Sequence, residues 1–229
     1  MDLQALLLTL RLAATTTLIL MAIALPLSWW LARTPSRLRP AAEALSALPL
    51  LLPPTVLGFY LLVMLGPNTA IGRGLSAIFG HPLAFTFTGL VIGSVIYSFP
   101  FAVQPLTAGF RTLSTAALED AALLGASPAR AFFTVALPLA RPALVTSAVL
   151  AFMHTVGEFG VVLMIGGNIP GVTRTISIAL YDHVQEFDYA QANRTALLLM
   201  TCAFAALLAL YLRRGIRNAG PARDGGSLV

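Results

Sequence analysis

Residues 12–32 read LAATTTLILMAIALPLSWWLA, a run without a single charged side chain. A helix needs about 20 mostly apolar residues to cross the hydrocarbon core of a bilayer, which is about 30 Å thick. The whole chain has this character, because 58% of its 229 residues are hydrophobic and only 10% are charged. An average soluble domain carries about 25% charged residues. The stretch therefore predicts a membrane-spanning helix, and the composition predicts a membrane protein.

Four further windows are long and apolar enough to span a membrane. In chain order they cover residues 44–65, 85–110, 143–165 and 196–212. We therefore expect an all-α, polytopic membrane protein with about five transmembrane helices, and at most six. Residues 1–217 would form the transmembrane domain. The polar, glycine-containing tail, residues 218–229, is expected to be disordered.

The arginines are distributed unevenly between the two ends of the predicted spans. With the N-terminus outside the cell, only Arg11, Arg73, Arg174 and Arg194 fall at the outer side. The inner side then holds Arg33, Arg37, Arg39, Arg111, Arg130, Arg141, Arg213, Arg214, Arg217 and Arg223. Because basic residues concentrate in inner loops, this distribution predicts an outside N-terminus and a cytoplasmic C-terminus.

All 14 basic residues are arginine, so the chain contains no lysine. A phosphate-binding loop of the Walker A type needs its lysine to reach the nucleotide phosphates. The chain is therefore not an ATPase of that kind. Any such ATPase would have to be a separate partner protein. The net charge of +5 is interpreted as attraction to anionic membrane lipid rather than to nucleic acid.

His154 and Glu158 lie four residues apart inside an apolar window, so they can share one face of a helix. This spacing suggests an intramembrane enzyme as an alternative function of a different class. A zinc-protease pattern would need a second histidine at helical spacing, which is missing. We expect no metal, no cofactor and no catalytic residue.

Proline and glycine interrupt two of the predicted spans. ALPLLLPPTVLG, residues 47–58, contains Pro53, Pro54, Thr55 and Gly58, and interior prolines bend or break a helix. Irregular backbone inside a membrane is tolerated where it faces protein or a water-filled cavity. We expect this segment to line a transport pathway, with a plain structural kink as the alternative.

The fourth window contains the other candidate gate, at Gly157 and Glu158. An ionisable residue inside a membrane is expensive and is usually functional. We expect Glu158 to pair with an arginine or to bind backbone near Gly157 and Gly160, where it would hold an outer gate.

Residues 111–142 are too polar to span and lie on the predicted inner side. Gly125 is placed to end one short helix in the left-handed conformation. Ser127 can cap a second helix whose first turn contains Pro128, and Pro138 is expected to close it. The sequence predicts two short helices at an angle, which together form a rigid projection.

This segment resembles the EAA loop of binding-protein-dependent ABC importer permeases. The resemblance lies in the spacing of Glu119, Ala121, Gly125, Val135, Leu137 and Pro138, with Asp120 in place of the first alanine. In that family the first helix of the loop docks into the ATPase subunit. The resemblance thus implies coupling residues Glu119, Asp120, Ala121, Gly125, Ala126 and Ser127.

The resemblance extends over most of the chain. LPLLLPPTVLGFYLLVMLG (48–66) and GEFGVVLMIGGNIPGVTRTISIALYD (157–182) are similar to oxyanion importer permeases, with the molybdate branch nearest. It implies a type I importer fold, a homodimer, a cytoplasmic ABC ATPase and an external oxyanion-binding protein in a bacterial or archaeal cell membrane. Molybdate is the expected substrate, with tungstate, sulfate and thiosulfate as alternatives.

Arg11, Arg174 and Arg194 border the predicted outer surface. They are candidates for contact with the anion or with the binding protein. The alternative is that they extend to the lipid headgroups, as arginines near helix ends commonly do.

Overall fold

The computed structural model describes residues 2–218, and every regular element among them is a helix. The helices are α1 (Leu3–Arg33), α2 (Arg39–Leu51), α3 (Pro54–Leu65), α4 (Ala70–Phe79), α5 (Phe87–Arg111), α6 (Thr115–Leu123), α7 (Pro128–Ala131), α8 (Leu137–Leu139), α9 (Arg141–Gly157), α10 (Gly160–Gly166), α11 (Ile176–Gln185) and α12 (Tyr189–Asn218). A π-helical turn, Phe132–Ala136, joins α7 to α8. Of the tail expected at residues 218–229, only Asn218 is described, and it is the last residue of α12. Residues 219–229 lie outside the described part of the chain.

Three helices, α1, α5 and α12, are long and apolar enough to cross a bilayer. Two bent pairs pass the same test: α2 with α3, bent by 108°, and Pro128–Leu139 with α9, bent by 72°. If each bent pair crosses the membrane once, the described residues contain five spans. The prediction of an all-α protein with several spans is confirmed, and five is the upper count for residues 2–218.

The window at residues 143–165 is not one helix. By contrast, the windows at residues 12–32, 85–110 and 196–212 each lie within, or almost within, a single helix. Helix α9 ends at Gly157, and Glu158 has an extended backbone with φ −72° and ψ 135°. Helix α10 begins only at Gly160. The break is stabilised because the Glu158 carboxylate accepts a hydrogen bond from the backbone N–H of Val162, in the first turn of α10. By contrast, α5 continues through its two prolines, Pro100 and Pro105.

Threonine and aspartate side chains determine where several helices begin. The Asp2 carboxylate accepts from the Ala5 N–H at 2.9 Å and caps α1. Thr86 caps α5 and Thr175 caps α11 through their hydroxyls. Each cap satisfies one of the backbone N–H groups that the first turn of a helix leaves unpaired.

Helices α1, α5 and α9 pack together as the centre of the bundle. Their contacts bury Leu20, Leu31, Val103, Leu106 and Phe110 almost completely. Small residues let the backbones approach closely: a Cβ on Gly109 of α5 would collide with the Cβ of Ala143 of α9. This is how helices associate in lipid, where packing rather than hydrophobicity supplies the attraction.

Helix α12 lies at the edge of the bundle, against α11 and α9. Many of its apolar side chains are exposed, including Met200, Phe204 and Leu208. Only 6% of its apolar window is buried inside the chain. An apolar helix with so little protein contact is suited to a lipid environment or to a second protein.

Candidate functional site

Helix α6 projects from the bundle and has no buried residue. Glu119 and Asp120, two of the predicted coupling residues, are exposed on it. Beyond them, Leu123 and Leu124 are 86% and 89% exposed. The sequence analysis did not single out these two leucines. Two adjacent leucines exposed at the end of a helix are unusual for a simple connector in water, and they form an apolar surface available to a partner.

The turn after α6 has the geometry that its sequence predicts. Gly125 has φ +82°, a left-handed conformation that other residues resist. The Gly125 N–H donates to the Ala122 carbonyl, and the Ala126 N–H donates to the Ala121 carbonyl at 2.9 Å. Ser127 then caps α7 by accepting from the Arg130 N–H. Two short helices therefore meet at a defined angle.

Pro138 does not close the second helix, in contrast to the expectation. The helical path continues through it to Leu139 and turns at Ala140. The chain accommodates the proline by widening the preceding turn, where the Leu137 N–H donates to the Phe132 carbonyl five residues earlier. Since proline has no N–H and its ring pushes on the preceding turn, this π-helical turn relieves the conflict.

The projecting segment is anchored to the bundle by aromatic rings. Trp29 of α1 packs edge-on against Phe110 of α5 and against Phe132 of the π-helical turn, with ring centroids 5.3 and 5.2 Å apart. Arg33 of α1 donates to the Leu113 carbonyl just before α6. A displacement of α6 and α7 would therefore act on two of the three central helices, α1 and α5. These contacts join residues far apart in sequence, so the sequence analysis did not find them.

The first broken span bends at Pro53, between α2 and α3. Pro53 and Thr55 are exposed there, whereas Gly58 is buried. A Cβ on Gly58 would lie 2.7 Å from the Cβ of Met164 in α10. The expected break is present, and Gly58 is one point at which α3 contacts α10.

The break between α9 and α10 is held by Glu158, which is 5% exposed. Its Oε1 accepts from the Val162 N–H at 3.0 Å, and its Oε2 accepts from the Ser94 hydroxyl of α5 at 3.2 Å. Its backbone carbonyl accepts from the Ser177 hydroxyl of α11. The expected backbone bond is therefore present, and the described residues contain no ion pair between Glu158 and an arginine. Glu158 links the break to two neighbouring helices.

Gly157 and Gly160 flank this break but differ in their surroundings. A Cβ on Gly157 would meet no atom within 4 Å. A Cβ on Gly160 would lie 2.6 Å from the Cβ of Pro54. The two half-helices that follow the breaks, α3 and α10, thus pack directly on each other. Two of the candidate gate residues, Pro54 and Gly58, thus contact α10, at Gly160 and Met164, which the sequence analysis did not include among the candidates.

His154 and Glu158 have different partners. His154 Nδ1 lies 2.9 Å from the Ser98 hydroxyl, and its ring stacks on Phe101 with centroids 4.0 Å apart. The Ser98 hydroxyl also lies 3.0 Å from that of Thr155. These contacts form a buried polar layer between α5 and α9 that holds the two helices together.

The three candidate outer arginines are placed differently from one another. Arg174 Nη2 lies 2.9 Å from Asp182 Oδ2, and Arg174 Nε lies 3.6 Å from Asp2 Oδ2. Two carboxylates therefore already balance the charge of Arg174. Arg11 is exposed and lies over the Phe87 ring at 4.6 Å, beside a groove of about 440 Å³. Arg194 is exposed near the start of α12. Within residues 2–218, Arg11 and Arg194 form no ion pair, so no carboxylate balances their charges there.

A family of proteins described as "Binding-protein-dependent transport system inner membrane component" matches residues 8–215. The chain is 54% identical over 213 residues to the molybdenum transport system permease protein ModB of Azotobacter vinelandii, covering 93% of this chain and 94% of that protein. It is 36% identical to ModB of Escherichia coli K12 over 80% of both chains. It is 31% identical to the probable sulfate transport system permease protein cysT of Chlorella vulgaris, over 90% of this chain and 77% of that protein.

Solved structures of ABC transporters have the same fold. The MetNI methionine ABC transporter in inward-facing conformations matches with a TM-score of 0.70 and 18% identity, covering 96% of both chains. A bacterial alginate ABC transporter, in complex with a periplasmic protein bound to an alginate pentasaccharide, matches with a TM-score of 0.73 and 17% identity. That match covers 93% of this chain and 78% of the other.

Proposed function

Because the chain belongs to the family of inner-membrane components of binding-protein-dependent transport systems, we propose that it is the permease subunit of an ATP-driven molybdate importer. The observation that supports molybdate as the substrate is the 54% identity, over 93% of the chain, to a molybdenum transport permease. The alternative of an intramembrane enzyme using His154 and Glu158 is wrong, since this family consists of transport components.

The energy comes from a separate cytoplasmic ABC ATPase that docks on the projecting segment. The absence of lysine from the chain supports this, because a Walker A loop requires one. Exposed α6 supplies the contact through Glu119, Asp120 and Ala121, and the turn at Gly125, Ala126 and Ser127 keeps α6 and α7 at a constant angle. Movement of the ATPase subunits reaches α1 and α5 through Trp29, Phe110 and Phe132.

The ion crosses in a wet passage, which two copies of the chain enclose between them. A doubly charged oxyanion cannot enter hydrocarbon, because moving an isolated ion out of water costs on the order of tens of kcal/mol. The breaks at Pro53 and Glu158 are suited to gating. The short helices that follow them, α3 and α10, can shift at these breaks without disturbing the long transmembrane helices.

The protein is oriented with its N-terminus outside the cell and its C-terminus in the cytoplasm. The arginines at the ends of α1 and α5, Arg33 and Arg111, then lie on the inner side with α6. The opposite end carries Arg11, Arg174 and Arg194, together with loop 166–175. An external oxyanion-binding protein docks on this end and releases its ion into the passage.

Uptake of radioactive molybdate by the complete complex in proteoliposomes tests the proposal. Uptake should require ATP, the ATPase subunit and the binding protein together. Unlabelled tungstate, sulfate and thiosulfate, added in turn, rank the competing ions. Uptake by the permease alone would contradict the proposal, and stronger competition by sulfate than by molybdate itself would reassign the substrate.

A further inference from the structure

A cleft opens between α2 and α5 at the end of the bundle where arginines gather. Its volume is about 260 Å³, and its polar lining consists of Glu43 and Ser46 from α2 with Gln104, Thr107 and Arg111 from α5. Gln104 and Arg111 lie seven residues apart and are both exposed on one face of α5. Residues at this spacing share a helix face, so their side chains point toward the same space.

Thr107 is the unusual member of this lining. The residue is 6% exposed, and its hydroxyl oxygen has no hydrogen-bond partner among residues 2–218. Burying a hydroxyl without a partner costs free energy, so such groups are rare in folded proteins. A free hydroxyl that borders a polar cleft is available to a ligand.

Two arginines converge on the Glu43 carboxylate, and one of them, Arg111, lines the cleft. Arg39 Nε lies 2.7 Å from Glu43 Oε1, and Arg111 Nη2 contacts the same oxygen. Guanidinium groups bind carboxylates and tetrahedral oxyanions with similar geometry. The Glu43 carboxylate therefore occupies the position that an external anion would take on Arg111.

We propose that this cleft is a weak binding site for a tetrahedral oxyanion at the cytoplasmic exit of the passage, an inference that rests on the proposed function. The ion displaces Glu43 from Arg111 and receives hydrogen bonds from Arg111, the Gln104 amide and the Thr107 hydroxyl. Even when Arg39, which pairs with Glu43 beside the cleft, is counted with Arg111, two arginine charges face a divalent ion and one carboxylate, so the loaded cleft has a net negative charge. Glu43 competes for the same guanidinium, and both effects favour release of the ion into the cell.

Protection of a thiol at the edge of the cleft tests the site. Ala108 lines the cleft without being one of the proposed ligands. In the complete complex without ATP, carrying Cys202→Ser to remove the exposed native thiol, Ala108→Cys is alkylated with the neutral reagent N-ethylmaleimide. Molybdate should slow the reaction, compared with chloride at equal ionic strength. Thr112→Cys, one turn farther along and outside the cleft lining, should react equally fast in both salts.

Further substitutions show whether the ion uses the proposed ligands. In the Ala108→Cys background, Thr107→Val should raise the half-protecting molybdate concentration roughly tenfold, which corresponds to about 1.4 kcal/mol. Thr107→Ser should restore protection. Glu43→Gln should lower the half-protecting concentration, because the competing charge is gone. Equal alkylation in both salts, or protection unchanged by Thr107→Val, would overturn the site.

Uptake measured on the same preparations separates the two proposals. ATP-driven molybdate uptake without thiol protection would reject the exit site and leave the proposed function intact. Absence of uptake by the unmodified complex would reject the proposed function, whatever the alkylation rates.

Discussion

The Cβ of Pro54 lies 2.6 Å from the point that a Cβ on Gly160 would occupy. Each of these residues follows a break in a membrane span, at Pro53 and at Glu158 respectively. The close approach of α3 and α10 means that the two breaks form one packed unit. A gate built this way moves as a pair of half-helices rather than as two independent loops.

Gly160→Ala should therefore destabilise the permease and reduce molybdate uptake. The added methyl group must push α3 away from α10, and overpacking of this kind typically costs about 1–3 kcal/mol. Thermal unfolding of the purified complex measures the effect. Gly74→Ala is the control, because a Cβ at Gly74 would meet no atom within 4 Å. Equal unfolding temperatures for the two variants would contradict the close packing.

Ser94→Ala should destabilise the structure around the break at Glu158, because it removes the hydroxyl that donates to the Glu158 carboxylate. A buried carboxylate oxygen that loses its partner costs about 1–3 kcal/mol. Glu158→Gln should be milder than Glu158→Ala, since its amide oxygen can still accept from the Val162 N–H. Thermal unfolding and uptake are measured together, with the exposed Glu186→Gln as control. If Glu158→Ala unfolds at the same temperature as the parent, Glu158 does not hold the break.

Gly125→Val should uncouple ATP hydrolysis from uptake. A left-handed backbone costs other residues about 1–2 kcal/mol, and a branched side chain resists it most. Gly125→Asn should be better tolerated, because asparagine adopts this conformation more readily. The ratio of ATP hydrolysed to molybdate imported is the measurement. Gly80→Val, at φ +75° between α4 and α5, carries a similar strain away from α6 and should leave the ratio unchanged.

Leu123→Asn combined with Leu124→Asn should weaken binding of the ATPase subunit without lowering the unfolding temperature of the permease. Both side chains are almost fully exposed, so their replacement costs the permease no internal packing. Co-purification of the ATPase subunit with the permease measures binding. Leu38→Asn, a replacement of another leucine at the same end of the bundle that is 70% exposed, provides the comparison. Undiminished co-purification would exclude the two leucines from the docking surface.

Arg174→Ala distinguishes a structural ion pair from a docking contact. If the bonds to Asp182 and Asp2 are its main role, Asp182→Asn should lower the unfolding temperature similarly, and the double variant should add little. If Arg174 meets the binding protein, only Arg174→Ala should raise the binding-protein concentration needed for half-maximal uptake. Arg194→Ala applies the same test to an arginine at the same end that forms no ion pair within residues 2–218.

Local patterns were enough to identify the membrane spans and the turn of the projecting segment. Apolar windows reveal spans because the bilayer demands a minimum apolar length. Gly125, Ser127 and Pro128 indicate the turn because each suits a particular backbone conformation. The break at Pro53 was predicted for the same reason. All of these features depend on residues close together in the chain.

The remaining features depend on residues that only folding brings together. Ser94 and Glu158 are 64 positions apart, and their hydrogen bond joins the break between α9 and α10 to α5. The packing of Pro54 on Gly160 and of Trp29 on Phe132 likewise has no local signal. A buried carboxylate must find its partners wherever the packed helices provide them. The apolar pattern and the Pro53–Pro54 pair therefore determined that the chain spans a membrane and that its second apolar window bends, whereas contacts between helices determine how the break at Glu158 is held and how the projection is anchored.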